Sequence, residues 1–339
     1  MKIKKRHQNS RKTACLLASL SIAMFLVMNP LAAHGEEISE FKKFQFELYA
    51  GYTSINPSDL NLFVDYENRI QEFSYDRYLN FLQANGQIQT WAMNQQEGER
   101  REIKRAYPLG FRLKYFLNKT IAISLGFKYM TSKQESDLDF QYTRDELIEE
   151  QYIESLAYSP FSISTKAYMP LVGIHIVKRF RNALELEGYI TGGPMFVKCH
   201  YLSDWMYEWR IQGPDYGYIV ASRIGRLEQN GSGTGIAIDF GGRLSYPIAK
   251  IMAIFLEGGY AYQVAKNPSG SGLETQGTSN VTWNGEWSIK QETMEAAWGE
   301  IDLELPTNYW PNNTAEGRSR DFKLDLSGFQ FRLGLSLRF

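Results

Sequence analysis

The chain has 339 residues, of which 43% are hydrophobic and 14% aromatic, with a formal net charge of −1. This length suits one or two folded domains, and no run reaches the roughly 18 consecutive apolar residues of a transmembrane helix. The lack of excess positive charge argues against nucleic acid as a partner, because binding to phosphates requires a positive surface.

The first 35 residues contain the three parts of a secretory signal peptide. Six Lys and Arg residues and no acids precede an apolar run over 14–28, and small residues follow at Ala32, Ala33 and Gly35. The run of 15 residues is short for an uncleaved anchor helix. We therefore expect residues 1–35 to be removed, with cleavage after Ala33 or after Gly35, and residues 36–339 to form the mature domain.

Cleavage changes the charge and the cysteine content. Lys plus Arg falls from 37 to 31 while Asp plus Glu stays at 38, so the mature chain has a net charge of −7. Cys15 leaves with the signal peptide, so Cys199 has no intramolecular disulfide partner. Only His175 and His200 remain, which is little material for a histidine metal site, and we predict no cofactor.

Eight segments alternate between apolar and polar residues with a period of two, which is the pattern of a β-strand with unlike faces. In chain order they are 44–52, 107–115, 121–129, 168–176, 184–195, 236–246, 254–262 and 329–339. This pattern predicts an all-β fold, an antiparallel up-and-down barrel of eight strands. Hairpins inside the long gaps, for example around 137–165, would either extend strands above the membrane or raise the count to ten.

The gaps between these segments alternate in length. Segments two and three, four and five, and six and seven are joined by a few residues, whereas the other gaps are each about 30 residues or longer. Short periplasmic turns and four long extracellular loops are typical of transmembrane barrels of the outer membrane, and Tyr and Phe at the strand ends are typical of their interfacial girdle. We therefore expect the apolar faces to contact lipid and the polar faces to line the lumen.

The polar faces carry ten charged residues, five acids and five bases, which we assign to the lumen. They are Glu47, Glu185, Glu187, Asp239, Glu257, Arg112, Lys114, Lys128, Arg243 and Arg332. An eight-stranded barrel is wide enough only for its own side chains or one small ligand, and buried charges persist when they are paired. This balance predicts a plugged lumen in which Arg332 lies close to Glu47 or Glu257; charges solvated in a wider channel are the alternative.

The first long gap contains a helix signal. Asn56 suits the N-cap and Pro57 the first helical position. An amphipathic helix is supported by the apolar spacing of Phe63, Tyr66, Ile70 and Phe73. Such a helix would lie on the membrane surface or dip into the barrel.

Three further features lie near the ends of the segments. The Gly-rich stretches 230–235 and 267–272 lack the P-loop pattern and predict flexible loop tips. Phe322, Leu324 and Leu326 have the opposite parity to the apolar positions of the last segment, which predicts a bulge at 327–328.

All seven tryptophans fall in the long gaps, at Trp91, Trp205, Trp209, Trp283, Trp287, Trp298 and Trp310. One interpretation is that they pack the loops into a cap over the barrel mouth. The other is that they anchor an external protein or glycan, since Trp is favoured at binding hot spots.

A catalytic site requires a nucleophile or an acid beside a base. Cys199 and His200 are adjacent in sequence, and adjacent side chains of a strand point to opposite faces. We therefore predict that the protein is not an enzyme. A non-enzymatic barrel serving envelope structure or surface-loop interaction is favoured, a narrow channel or transporter for a small solute comes second, and an outer-membrane enzyme third.

The sequence ends with the pattern polar-x-Gly-x-x-apolar-x-aromatic, formed by Arg332, Gly334, Leu337 and Phe339. This ending resembles the C-terminal assembly signal of bacterial outer-membrane proteins. Together with the eight segments, it makes residues 42–339 resemble the small barrels of the OmpA-like, OmpW-like and opacity-protein superfamily. The resemblance implies a place in the bacterial outer membrane, contact with its lipid, and the barrel-assembly machinery and periplasmic chaperones as partners during biogenesis.

Overall fold

The structure is a computed structural model. It describes residues 43–57, 59–65, 88–90, 102–135, 140–147, 152–158, 160–180, 184–213, 216–286, 288–296, 299–307 and 319–339. The predicted signal peptide at 1–35 lies outside these ranges, as do Tyr66, Ile70 and Phe73 of the predicted helix.

Eight strands pair edge to edge into a closed antiparallel ring, which we call the barrel. Numbered in chain order with the remaining strands, they are β1 (Phe44–Ser54), β3 (Arg105–Phe116), β4 (Ile121–Glu135), β7 (Phe161–Arg179), β8 (Glu185–Gly213), β9 (Tyr216–Ala249), β10 (Met252–Lys266) and β17 (Gly328–Arg338). Each follows its predecessor around the ring, and the pairing of β17 with β1 closes it. The predicted all-β fold with eight ring strands is confirmed, and each of the eight alternating segments matches one of these strands, with Leu184 and Phe339 lying one residue outside theirs.

The remaining described strands lie in the long gaps. They are β2 (Ile88–Thr90), β5 (Phe140–Leu147), β6 (Tyr152–Tyr158), β11 (Ser269–Gln276), β12 (Ser279–Glu286), β13 (Ser288–Ala296), β14 (Gly299–Thr307), β15 (Ser319–Asp321) and β16 (Lys323–Asp325). β8 and β9 continue past the ring as a ribbon, which β6, β5 and β2 extend on one side and β11 and β12 on the other. The hairpin predicted around 137–165 is β5–β6, and it pairs with the β8 extension without entering the ring.

The two ends of the barrel differ in their connections. At one end, which we call the turn end, residues 117–120, 180–184 and 250–251 join neighbouring strands. Phe44 and Phe339 exchange two backbone hydrogen bonds of 3.1 Å at this same end. The four long connections leave from the opposite end, which we call the loop end.

The Gly-rich stretches 230–235 and 267–272 are not flexible tips, contrary to the sequence-based expectation. The first lies inside β9, and β11 pairs with it so that Ser269 is opposite Ser232. A Cβ on Gly270 would come 1.7 Å from the carbonyl oxygen of Asn230. The small residues therefore permit close strand pairing here, which a pattern of flexible residues does not reveal.

The outer surface of the barrel is apolar. Large apolar side chains from all eight ring strands are exposed on it, including Leu48, Leu109, Leu125, Ile174, Ile190, Phe240, Leu256 and Leu333. Because side chains alternate between the two faces of a strand, the residues between these positions point into the ring. Toward the loop end the outer surface carries aromatic pairs, with ring centroids 5.3 Å apart for Tyr129 and Tyr168.

The interior near the loop end is also apolar, and it is filled by a helix, α1 (59–65). Leu60, Phe63 and Val64 are buried there, and Phe63 stacks on Tyr201 of β8 with centroids 4.6 Å apart. The described part of this helix therefore lies inside the barrel, which is one of the two positions predicted for it. No helix in the described ranges has the length and apolarity needed to cross a bilayer.

Hydrogen bonds hold α1 in this position. Asp59 accepts two hydrogen bonds from the Arg320 guanidinium, at 2.8 and 2.9 Å, and one from the backbone N–H of Lys323 at 2.7 Å. The Asn61 side chain donates to the carbonyl oxygen of Ile103 and accepts from its N–H. The first long connection is thereby fastened to the last one.

The bulge predicted at 327–328 is wrong. β16 and β17 pair with β10 in one continuous register. Phe322, Leu324 and Leu326 therefore point inward on the same face as Arg332. They are apolar because the interior at their height is occupied by the α1 cluster, whereas the interior at Arg332 is charged.

Inward glycines leave space for large side chains from the neighbouring strand. A Cβ on Gly110 would lie 2.5 Å from the Tyr49 hydroxyl and 2.5 Å from the carbonyl oxygen of Phe127.

We expect Gly110→Ala to lower the free energy of unfolding in detergent micelles by roughly 1–3 kcal/mol, since the backbone oxygen cannot move away. Gly188→Ala is the control, because no atom lies within 4 Å of a Cβ there. Equal urea midpoints for the two variants would contradict this account.

Candidate functional site

The interior between α1 and the turn end holds a layer of ionisable side chains, to which every ring strand contributes. We call it the lumen network; its members are Glu47 of β1, Arg112 and Lys114 of β3, Lys128 of β4, His175 of β7, Glu187 of β8, Asp239 and Arg243 of β9, Glu257 of β10 and Arg332 of β17. None of them is more than 4% exposed. The structure thus brings together nine of the ten charged residues that the sequence analysis assigned to the lumen.

Glu47 lies among three cations. Its carboxylate is 2.9 Å from the Lys114 ammonium and 3.2 Å from the Arg112 guanidinium, and it also contacts Arg243. Gln45 on the same strand donates a further hydrogen bond of 2.7 Å to it. Such multiple charge-assisted contacts are what a carboxylate needs when it is removed from water.

Asp239 and Glu257 share the Arg332 guanidinium. Arg332 donates to Glu257 at 2.7 Å, one of the two partners predicted for it, and also contacts Asp239. Lys128 donates to both oxygens of Asp239, at 2.5 and 2.8 Å, and Arg112 adds a second cation for Glu257 at 3.3 Å. Each acid therefore has at least two cationic partners.

Several of these ion pairs cross the lumen and do not join neighbouring strands. Four of them link strands that are three positions apart around the ring: Lys114–Glu187, Lys128–Asp239, Arg112–Glu257 and Arg243–Glu47. The network therefore ties opposite walls of the barrel together in addition to the backbone pairing along its circumference.

Aromatic rings complete the packing around the guanidinium groups. Arg243 lies 3.6 Å from the centroid of the Phe255 ring, and Arg332 lies 4.9 Å from that of Tyr49. Arg112 approaches the Tyr189 ring at 5.4 Å. Cations over ring faces are favourable, and more so away from water.

No single strand segment predicts a role for these rings, although the sequence carries a signal for them. Each ring lies directly opposite a glycine on the neighbouring strand: Tyr49 opposite Gly110, Tyr189 opposite Gly241 and Phe255 opposite Gly334. Aromatic–glycine pairs across strands stabilise sheets by covering the exposed backbone. Finding them requires the strand register, which one segment alone does not provide.

Glu185 is the predicted lumen residue that lies outside the network. It is at the turn end, where it accepts a 2.6 Å hydrogen bond from Arg179 and another from Arg338 at 3.0 Å. It shares the inward parity of Glu187, but its position at the start of β8 places it at the barrel rim. Parity alone predicted its face correctly and could not predict its height.

His175 links the network to a hydroxyl group. Its Nδ1 is 2.7 Å from Glu187 and its Nε2 is 2.7 Å from the Ser124 hydroxyl. An ionised carboxylate can only accept, so Nδ1–H donates to Glu187 and Nε2 accepts from Ser124. This is the order of groups in a hydrolytic triad.

Three features favour a structural interpretation of this chain of hydrogen bonds. The Ser124 hydroxyl and the His175 ring are buried inside the ring of strands, so a substrate has no route to them in this conformation. The Glu187 carboxylate also forms an ion pair with the Lys114 ammonium, with Nζ and Oε1 2.5 Å apart. The backbone of β4 pairs with strands on both sides of Ser124, which leaves its N–H groups engaged in the sheet.

The other predicted residues lie elsewhere. Cys199 is buried and His200 is half-buried on the opposite face of β8. Of the C-terminal pattern, Arg332 belongs to the network and Gly334 faces Phe255, while Leu337 and Phe339 are exposed on the outer surface.

The predicted aromatic anchors are only partly described. Trp205 and Trp209 lie in β8 and Trp283 lies in β12, and the Trp205 ring packs over Gly225 of β9. Outside the described residues lie Trp91, Trp287, Trp298 and Trp310.

The fold and the site define a class: an all-β protein in which a closed antiparallel ring of eight strands surrounds a buried ion-pair network. Neither a scan against protein-family models nor a search of curated proteins gave a match to this chain.

We expect Arg332→Met to lower the free energy of unfolding by roughly 3–5 kcal/mol, because it removes one of the two buried cationic partners of both Asp239 and Glu257. Arg226→Met is the control, since its ion pair with Asp204 is exposed and worth about 1 kcal/mol or less. Urea unfolding of both variants in the same micelles measures the difference. Similar losses in the two would show that the network contributes no more than a surface pair.

Proposed function

We propose that this protein is a transmembrane barrel of the bacterial outer membrane with a closed lumen, and that it serves envelope structure or presents its loop-end strands to an external partner. The observation that carries the proposal is the inverted polarity of the barrel. Ten ionisable side chains are buried inside the ring, while large apolar side chains of all eight strands are exposed outside it. Exposure of the outer apolar face is unfavourable in water and favourable in a bilayer, where charged side chains are confined to the inner face.

The size of the outer apolar surface supports this orientation. On β17 the outward residues from Phe329 to Leu337 are all apolar and exposed, and Phe339 follows them. Ten residue steps at about 3.3 Å, tilted by about 40°, span roughly 25 Å along the barrel axis. This matches the height of the apolar band of outer-membrane barrels.

Closure of the lumen is supported at two heights. The lumen network occupies the interior toward the turn end, and α1 with its apolar neighbours occupies the interior toward the loop end. A narrow channel for a small solute would need water to reach the charged side chains, which are almost completely buried. A closed barrel is therefore the better interpretation.

The loop-end strands are the part of the protein offered for external contact. The β8–β9 ribbon and the strands that flank it form a sheet beyond the ring. In the proposed orientation this sheet lies outside the cell, where a protein or glycan would meet it. The resemblance to OmpA-like, OmpW-like and opacity-type barrels supports the same orientation, and with it assembly by the barrel-assembly machinery.

In planar lipid bilayers we expect the purified barrel to show no stable, large conductance. The double variant Arg112→Ala, Arg332→Ala removes two of the largest side chains of the network and is expected to raise ion permeability. Folding of each sample is checked by heat-modifiable gel migration, and Lys178→Ala on the outer surface is the control. A large steady conductance of the unmodified protein would refute the closed lumen, and solubility of the mature chain without detergent would refute the membrane location.

A non-enzymatic role makes a separate prediction about Ser124. We expect a fluorophosphonate probe to leave the folded barrel unlabelled, because the hydroxyl lies inside the ring. Labelling is followed by mass spectrometry of the modified peptide, with the Ser124→Ala variant as the control. Modification of Ser124 in the folded protein would instead favour a hydrolase.

A further inference from the structure

A groove of about 560 Å³ lies on the outer surface of the barrel toward the loop end, where β7, β8, β9 and β11 run side by side. We call it the lysine groove. Its polar lining includes Lys166, Lys198, His200, Asn230, Ser232 and Ser269. A volume of this size is in the range of small-ligand sites.

The centre of the lysine groove holds two cations that face each other. Lys166 of β7 is directly opposite Lys198 of β8 in the strand register, and both are exposed. Among the described residues neither lysine has an ion-pair partner. Like charges directly opposite on paired strands repel each other, so an anion between them would be favourable.

The same row of the sheet continues with hydrogen-bond donors. Ser232 is opposite Lys198, and Ser269 is opposite Ser232. Glu228 lies beside the groove, where its carboxylate accepts from Asn230 at 3.1 Å and is 4.0 Å from His200, and neither Lys166 nor Lys198 pairs with it. The lysine groove therefore offers positive charge and hydroxyl groups to an incoming anion.

The height of the lysine groove decides what kind of anion would meet it. Two residues nearer the turn end, the outward positions are Tyr168 and Phe196, which are opposite each other. Below them the outward surface is apolar, as at Ile236. The lysines thus lie about 7 Å beyond an aromatic girdle, which is the height of lipid headgroups.

We propose that the lysine groove binds the phosphate of an anionic membrane lipid, with Lys166 and Lys198 as its charge partners and the acyl chains along Phe196 and Ile236. This inference rests on the proposed membrane orientation. It adds a specific lipid site on one side of the barrel, in contrast to general solvation by the bilayer.

The test is titration of the detergent-solubilised barrel with phosphatidic acid, read by native mass spectrometry, with phosphatidylcholine as the uncharged comparison. We expect the unmodified protein to retain phosphatidic acid in preference to phosphatidylcholine. The variant Lys166→Gln, Lys198→Gln should bind it roughly tenfold to thirtyfold more weakly, given the usual contribution of each lysine near a lipid surface. The matched control is Lys119→Gln, Lys178→Gln, which removes the same charge from exposed positions at the turn end.

Three results would overturn the lipid site. The first is equal affinity for phosphatidic acid in the groove variant and the control variant, and the second is no preference for phosphatidic acid over phosphatidylcholine. The third is displacement of the lipid by inorganic phosphate at the same concentration, which would make the groove a site for free phosphate. Each is measured on protein whose folding in detergent has been verified by heat-modifiable migration. A chain that is soluble without detergent would refute the membrane proposal itself, so the two failures are distinguishable.

Discussion

The constraint on which this structure depends is that a charge removed from water must be paired. The acids of the lumen network each meet at least two cations, and for each acid one of these cations comes from a strand three positions away around the ring. Closure of the ring is therefore needed to pair these charges, as well as to pair the backbone N–H and C=O groups of the edge strands. Because strand side chains alternate, inward placement of the ionisable residues also fixes the apolar residues on the outside.

The alternation of apolar and polar residues was sufficient to predict the ring strands, because it depends only on neighbouring residues within one segment. Each of the eight alternating segments matches a ring strand, and nine of the ten charged positions meet in one layer. The contact between Arg332 and Glu257 was also predictable, since their strands are neighbours. The pairs that cross the lumen, such as Lys128 with Asp239, depend on the ring order and on the height of each residue, which a single segment does not contain.

Two of the three errors have the same physical cause, which is that the interior changes along the barrel axis. Apolar residues at Phe322, Leu324 and Leu326 suggested a shift in register, whereas they mark the height at which α1 replaces the charged layer. Glu185 has the parity of the network and lies at the rim instead. The glycines of 230–235 suggested flexibility, although they serve close strand pairing. In each case the deciding neighbour is distant in sequence.

The hydrogen bonds between Asp59 and Arg320 have a consequence for the order of assembly. They join residues 261 positions apart, one just after the first ring strand and the other shortly before the last. In a chain synthesised from its N-terminus, Asp59 and the helix are present long before Arg320. Such non-local contacts slow folding, since the intervening chain must first be brought together. Pairing of the last ring strand and immobilisation of the helix should accordingly occur as one late, cooperative event.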